Sequence, residues 1–437
     1  MGSLVFVLTL LLLIQCLLAL LGVLRFVRYC LKSRPARNQY LPRAAVIVPC
    51  RGVDDGFEEN ITALLDQDYR EYEVIFVTDS DADPASIALR RILSDHDRSA
   101  WLVNAGQAHD RGQKIHNLCA ALDTLSAISR RTEVLVFADA DARPAGNWLR
   151  ELVVPLNNEN IGATTGFRWY TPVARGSGVR ARVLSLLLSV WNASALSLLG
   201  ERSALAWGGA TAIRREDFDR LAIRDRWAGA VSDDYVLTAA VRESGLPIRF
   251  VPQCLVTTPA VASWPGFLEF STRQMIITRV YAPAVWKMTA LTQAFYSLTF
   301  WTSLLYLGLT ALRGNTDIRV ALTLGGIFLC GAVSGVMRYL TATRVIDSVR
   351  EQSGGDWWGY ALLFPFSSLI YLYNIARSAL TRTITWRGIQ YRMNSPGNTE
   401  ILGREDNMMP LEIFDFPDTP NQNRVRPDWQ KSSSGRR

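Results

Sequence analysis

Glu133-Val-Leu-Val-Phe-Ala-Asp-Ala-Asp-Ala142 is an apolar run that ends in two carboxylates, Asp139 and Asp141. Its β-branched and aromatic residues favour an extended chain, and positions two apart on such a chain project to the same side. Both carboxylates can therefore face one ligand. A divalent cation carried on a diphosphate suits them, because Mg2+ and Mn2+ take oxygen ligands from one or two carboxylates together with phosphate and water. A solvated strand-to-turn junction is the other reading, since Asp is common in turns. Neighbouring stretches bear on the choice.

Two more segments have the same form. Upstream, Ala44-Ala-Val-Ile-Val-Pro-Cys-Arg-Gly52 is a short apolar strand broken at Pro49 and Gly52, and Tyr72-Glu-Val-Ile-Phe-Val-Thr-Asp-Ser-Asp-Ala-Asp-Pro84 carries Asp79, Asp81 and Asp83 at its end. Helices are expected at about 58–65, at 84–94 and over about a dozen residues beginning with Gln113-Lys114-Ile-His-Asn117. Strands alternating with helices imply parallel βαβ units, whose ligands bind beyond the carboxyl ends of the strands. Asp79, Asp139 and Asp141 sit at two such ends. The expected fold is α/β, a nucleotide-binding domain with a mixed, mostly parallel sheet, flanked by N-terminal and C-terminal transmembrane helices.

The 437 residues are 49% hydrophobic with a net charge of +7, which fits a large globular domain attached to membrane segments. An apolar run from Leu4 to Leu24 is followed by Arg25, Arg28, Lys32, Arg34 and Arg37. Its length of about 20 residues suffices to cross a bilayer, and the trailing positive charge puts the following domain on the cytoplasmic side. A cleavable signal peptide would carry its charge first and a small-residue cleavage site after a shorter core. Cys16, Cys30, Cys50, Cys119, Cys254 and Cys330 lack Cys-x-x-Cys spacing and read as small apolar residues, neither zinc ligands nor a disulfide framework.

The uncharged stretch 183–199, with four serines, Asn192 and Trp191, reads as a helix in the membrane interface or lining a lipid-facing groove, or as a core helix of the soluble domain. Gly208 and Gly209 allow close backbone approach to a ligand. Ser232-Asp-Asp-Tyr-Val-Leu-Thr-Ala-Ala-Val-Arg-Glu-Ser-Gly245 reads as a complete helix: Ser232 caps it, Asp233 and Asp234 favour its positive end and Gly245 stops it. Those acidic residues are accounted for by the helix alone, or one of them is a base facing the cleft. Met288 to Leu312 and Ile318 to Ala342 read as a membrane hairpin. Trp357 to Ala376 reads as a re-entrant or interfacial pair broken at Pro365, because a full crossing would put Arg377, Arg382, Arg387 and Arg392 outside. The expected divisions are an anchor over 1–30, a cytoplasmic catalytic domain over 40–285 with its interfacial segment 183–199, membrane segments and a basic motif over 286–392, and a polar tail over 393–437, largely disordered and most so beyond about Pro410.

The order of Asp79, Asp139-Ala-Asp141 and Ser232-Asp233-Asp234-Tyr235 resembles the family 2 inverting glycosyltransferases with a GT-A fold. Within them the chain looks most like the ceramide glucosyltransferase branch and its bacterial relatives, including hopanoid-associated glycosyltransferases. Asp79-Ser-Asp-Ala-Asp-Pro-Ala85, Lys114-Ile-His-Asn117 and Thr383-Ile-Thr-Trp-Arg-Gly-Ile-Gln-Tyr-Arg392 carry that likeness, over about Ala44 to Arg392. The resemblance implies Asp79 near the nucleotide base, Asp139 and Asp141 on the diphosphate and its Mg2+ or Mn2+, and Lys114 on the phosphates. It implies Asp234 as general base, with Arg51, Arg279, Trp386 and Arg387 among the donor-binding residues. It also implies a UDP-sugar donor, UDP-glucose first, a membrane-lipid acceptor such as ceramide, no nucleic-acid partner, and a place in the bacterial inner membrane. A hopanoid or other polar lipid is the second acceptor, and a polysaccharide synthase or inactive scaffold the remaining alternatives. One departure stands out. The family has Gln or Arg, two residues, then Arg-Trp, whereas here Gln274 precedes Arg279 by five positions and Val280-Tyr281 follow.

Overall fold

The structure, a computed structural model, describes all residues except 1, 36–39, 99, 130, 174–177, 203, 261–262, 353–354 and 405–437. Seven strands form one sheet: β1 Ala44–Pro49, β2 Tyr72–Thr78, β3 Trp101–Asn104, β4 Val134–Ala138, β5 Ala163–Thr171, β6 Ala210–Arg214 and β7 Ile248–Pro259, in the order β3-β2-β1-β4-β6-β5-β7. β1 pairs in parallel with both β2 and β4, β2 with β3, and β5 with β7. Only β6 runs against its neighbours. β1, β2 and β4 are nearly continuous apolar runs and almost wholly buried, as strands covered on both faces must be. Because β1 lies between β2 and β4, the residues just past three adjacent strand ends, Arg51, Asp79 and Asp139, are brought to one rim. That rim is a switch point of the sheet, where such folds bind ligands.

The helices around the sheet are α1 Gly2–Lys32, α2 Phe57–Leu65, α3 Pro84–Ser94, α4 Gln113–Ile128, α5 Trp148–Val153, α6 Val179–Ala193, α7 Arg215–Arg220, α8 Ile223–Arg226 and α9 Asp233–Glu243. They are followed by α10 Trp264–Tyr281, α11 Pro283–Leu312, α12 Ile318–Val345, α13 Asp347–Gln352, α14 Trp357–Leu362 and α15 Phe364–Leu380. Among the described residues, four helical stretches are long and apolar enough to cross a membrane: α1, residues 179–198, α11 and α12. They suggest membrane association.

These long helices are not loosely tethered. Phe26 of α1 stacks on Phe250 of β7 with ring centroids 6.1 Å apart, and Tyr29 donates a hydrogen bond to the Phe250 carbonyl. Phe26 and Cys30 of α1 and Tyr339 and Ala342 of α12 share one buried cluster with the sheet. In α6, residues 184–193 are all buried, because the helix is wedged between β5 and the pair α14 and α15. The stretch thus takes the place of a core helix at the junction of sheet and long helices, and its serines bond to backbone carbonyls within the packing. The segment from Trp357 breaks at Leu363, with Pro365 in the first turn of α15, where a missing N–H costs nothing.

The C-terminal region differs from the sequence expectation. Thr383–Trp386 (β8), Ile389–Ser395 (β9) and Asn398–Arg404 (β10) form a separate antiparallel sheet, so ordered structure continues past 393 as far as Arg404. Alternation along Ile389-Gln-Tyr-Arg-Met393, with Ile389, Tyr391 and Met393 buried, is the half-covered strand pattern. Polar composition concealed it. Residues beyond Pro410 lie outside the described part of the chain.

Candidate active site

At the rim beyond β4, Asp139 and Asp141 converge on a single cation, the Arg168 guanidinium of β5. Its Nη2 lies 3.0 Å from Asp139 Oδ2 and 2.9 Å from Asp141 Oδ1. On the other side of Asp139, Lys114 Nζ donates to Oδ1 at 2.9 Å and lies 3.3 Å from the buried Asp233. Lys114 is delivered by the first turn of α4, Asp233 by the first turn of α9. The two elements meet because Gly208 and Gly209 precede β6, which runs antiparallel beside β4. A Cβ on Gly208 would lie 2.6 Å from both Lys114 Nζ and Asp233 Oδ2, and one on Gly209 would lie 2.7 Å from Asp139 Oδ2. A side chain at either position would have to displace these charged groups.

Burial and charge oppose each other here. Burial raises the Asp139 carboxyl, but Lys114 and Arg168 outweigh it and hold the group below its usual range. Burial works against the Lys114 ammonium as well, and the carboxylates of Asp139, Asp233 and Asp234 overcome it and raise its pKa. For Asp233 burial prevails over Lys114, assisted by repulsion from Asp234 and Asp139, and its pKa is pushed up to about 6.

Asp234 is half-buried and held by backbone. Gly208 N donates to its Oδ2 at 3.2 Å, Tyr235 N donates to its Oδ1 at 2.8 Å, and the Ser232 hydroxyl donates to Oδ1. Ser232 also caps the helix, accepting from Tyr235 N at 3.4 Å. The helix explanation and the cleft-facing base are therefore compatible: capping fixes the carboxylate and partial exposure leaves it accessible.

The basic residues arrive from the other end of the chain. Trp386-Arg387-Gly388-Ile389 is a two-residue hairpin in which Arg387 and Gly388 have φ of 51° and 72°. Positive φ at both central positions marks a type I′ turn, and for a residue with a Cβ it costs about 1–2 kcal/mol. That strained residue pairs with Asp54, Nη1 donating to Oδ1 at 2.7 Å and Nη2 to Oδ2. Its carbonyl accepts from Arg51 Nε at 2.9 Å, and Arg51 is itself ion-paired with Asp79. The hairpin is docked by Tyr391, whose hydroxyl accepts from Gln113 N at 3.2 Å, and by Arg404, whose Nη1 donates to Gln113 Oε1 at 3.1 Å. Gly229 closes against Gly397, where a Cβ would meet the carbonyl oxygen at 2.1 Å.

Arg279 is turned elsewhere. It donates to the Ser378 carbonyl and lies over the Trp286 ring at 5.6 Å. The α10 arginine beside the hairpin is Arg273, with Nη1 on the Thr385 carbonyl at 3.2 Å and its guanidinium 5.6 Å from the Trp386 ring centroid. Burial lowers its pKa, with Glu269 opposing and Arg387 and Arg168 adding to the fall. Arg168, Arg273, Asp54 and the Asp233–Lys114 contact escaped sequence reading. Arg168 left a trace, since a lone charge in the strand Ala163–Thr171 is rare without a partner.

Residues 5–399 match the model of Glycosyl transferase family 21. The chain belongs to this family. It is the ceramide glucosyltransferase family of GT-A fold, so the protein is a glycosyltransferase acting with a nucleotide-sugar donor. Among solved structures similar to this family 21 transferase is the mannosyltransferase PcManGT from Pyrobaculum calidifontis, in complex with GDP-Man and Mn2+. It is 19% identical, with 86% of this chain and 98% of that one covered at a TM-score of 0.46. Glucosyl-3-phosphoglycerate synthase from Mycobacterium tuberculosis, in complex with Mn2+ and uridine-diphosphate-glucose, is 19% identical over 56% of this chain and 83% of its own, at a TM-score of 0.36. No curated protein sequence matches.

Proposed function

We propose that this transferase moves a hexose, glucose, from a UDP-sugar to the hydroxyl of a membrane lipid, ceramide, and gives a β-glycosyl lipid. The observation that carries the reading is the joining of an acidic rim, Asp139, Asp141 and Asp234, to long apolar helices through one continuous core. A reacting hydroxyl at headgroup depth lies within reach of a rim fixed in that way. Positive charge after α1 supports a cytoplasmic orientation of the rim, and we take the membrane to be a bacterial inner membrane.

The roles follow from the chemistry of displacement. A hydroxyl must lose its proton to a carboxylate while the donor diphosphate departs, and one direct displacement inverts the anomeric carbon without a protein nucleophile. Asp234 is the base: its oxygens are oriented by Gly208 N and Tyr235 N, and general-base help of this kind contributes about 10²–10⁴-fold. Lys114, Arg387 and Arg273 face the charge that develops on the diphosphate, a group of this kind contributing at most about 3–4 kcal/mol. Arg273 takes the role expected of Arg279, because it is the one that touches Trp386. Asp79, held by Arg51, receives the nucleotide.

A divalent cation fits Asp139 and Asp141. The two carboxylates already converge on one cationic nitrogen, and two carboxylates with phosphate oxygens make a usual Mg2+ or Mn2+ set. Bound there, Mg2+ or Mn2+ would neutralise the leaving diphosphate.

Lipid mass spectrometry of a host that lacks glycolipids, supplied with ceramide, tests the reading. Expression of the full chain should yield a hexosylceramide that vanishes with Asp234→Asn. A different glycolipid would overturn the acceptor and keep the reaction. A membrane-inserted protein yielding no lipid product with any of several donors would sink the reading.

A further inference from the structure

Arg168 occupies the position on the Asp139 and Asp141 oxygens that the proposed metal needs. Asp139 is bound from two sides, Oδ1 by Lys114 and Oδ2 by Arg168, and Arg168 takes Asp141 Oδ1 with the same nitrogen. A divalent cation would approach those oxygens to about 2.0–2.1 Å for Mg2+, through the point where Nη2 lies. A guanidinium does not give up its proton, so it cannot make room by becoming neutral.

The rest of the side chain is anchored independently of the carboxylates. Nη1 donates to the Tyr170 hydroxyl at 3.1 Å, and the guanidinium carbon lies 5.1 Å from the Trp207 ring centroid and 5.6 Å from that of Tyr170. Nε is buried without a hydrogen-bond partner, an arrangement with a real cost unless an acceptor arrives. Withdrawal of Nη2 from the carboxylates would leave Arg168 beside the cleft with both Nε and Nη2 unengaged. Phosphate oxygens are the acceptors that suit a guanidinium best.

Resting on the metal reading above, we propose that Arg168 is the resident counter-ion of the Asp139 and Asp141 pair, exchanged for a divalent cation when the donor diphosphate takes up the guanidinium. No bond is made or broken covalently. Metal and donor consequently enter together, and the carboxylates hold little metal before the nucleotide is present.

Mn2+ binding to the full chain in lipid nanodiscs, followed by electron paramagnetic resonance with and without UDP, tests this. Without UDP, Arg168→Gln is expected to bind Mn2+ about tenfold more tightly than the wild type, because a charge-assisted competitor is gone. Arg168→Lys, which restores a cation, is expected to bind like the wild type. UDP is expected to tighten Mn2+ binding to the wild type beyond what Mn2+ binding to UDP in solution explains, and to do so less in Arg168→Gln. Equal Mn2+ affinity of wild type and Arg168→Gln without UDP overturns the exchange, as does wild-type affinity indifferent to UDP, a measurement that needs no variant to fold. Absence of Mn2+ binding under every condition, or its survival in Asp139→Asn, overturns the metal reading itself and the exchange with it.

Discussion

The strand ends of the seven-stranded sheet and the hairpin at Arg387 meet at one cleft, with opposite charge and by different physics. Asp79 and Asp139 are placed by local structure: each follows directly on a buried strand, and parallel pairing of β1 with β2 and β4 puts them on one edge. Arg387 is more than 300 residues from its partner Asp54, stands in a left-handed conformation, and is held by docking of β9 and β10 on α4. The acidic positions come with the strand ends, whereas Arg387 is brought to the cleft by a docked hairpin that holds it against backbone strain. A strained residue that is kept at a site is a reason to look for function there.

Five substitutions break or sharpen that contrast. The largest effect is expected on the sheet side at the base, where Asp234→Asn should lower turnover about 10³-fold while leaving donor affinity nearly unchanged. A comparable loss of donor affinity in a UDP-binding assay would move Asp234 from proton acceptor to donor holder. Asp139→Asn comes next, with about 10²-fold loss of turnover and weaker UDP binding in the presence of Mn2+, since the cation on the diphosphate would lose one of its two carboxylates. On the hairpin side, Arg387→Gly removes the side chain and relieves the turn. Transfer should fall about tenfold or more, yet thermal unfolding should change by less than about 1–2 kcal/mol because relief of positive φ offsets the lost ion pair. A large loss of stability would show that Arg387 serves docking above chemistry. The smallest effect separates two arginines of α10. Arg273→Ala should weaken UDP binding several-fold, roughly 1 kcal/mol, and Arg279→Ala should leave it unchanged; the reverse order in calorimetry would restore Arg279 to the donor side.

Much of the fold was legible in the chain because its signals are local. The apolar runs at Ala44, Tyr72 and Val134 with their terminal aspartates, the Ser232 cap, the glycine pair at 208 and 209 and the long apolar helices each depend on residues within one element. The stretch 183–199 was less legible, since a buried core helix and an interfacial one share composition, and only contact with β5, α14 and α15 separates them. The strands β9 and β10 were hidden by polar residues on their exposed faces.

By itself the sequence determined the α/β framework, the acidic rim and the apolar helices, because periodicity and strand-end chemistry are written in neighbouring residues. Only the tertiary structure decided which cations meet that rim. Arg168, Arg273 and Arg387 lie on a strand, a helix and a hairpin far apart in the chain. An arginine's long side chain carries no local mark of the carboxylate it will find, so its partner is set by packing alone.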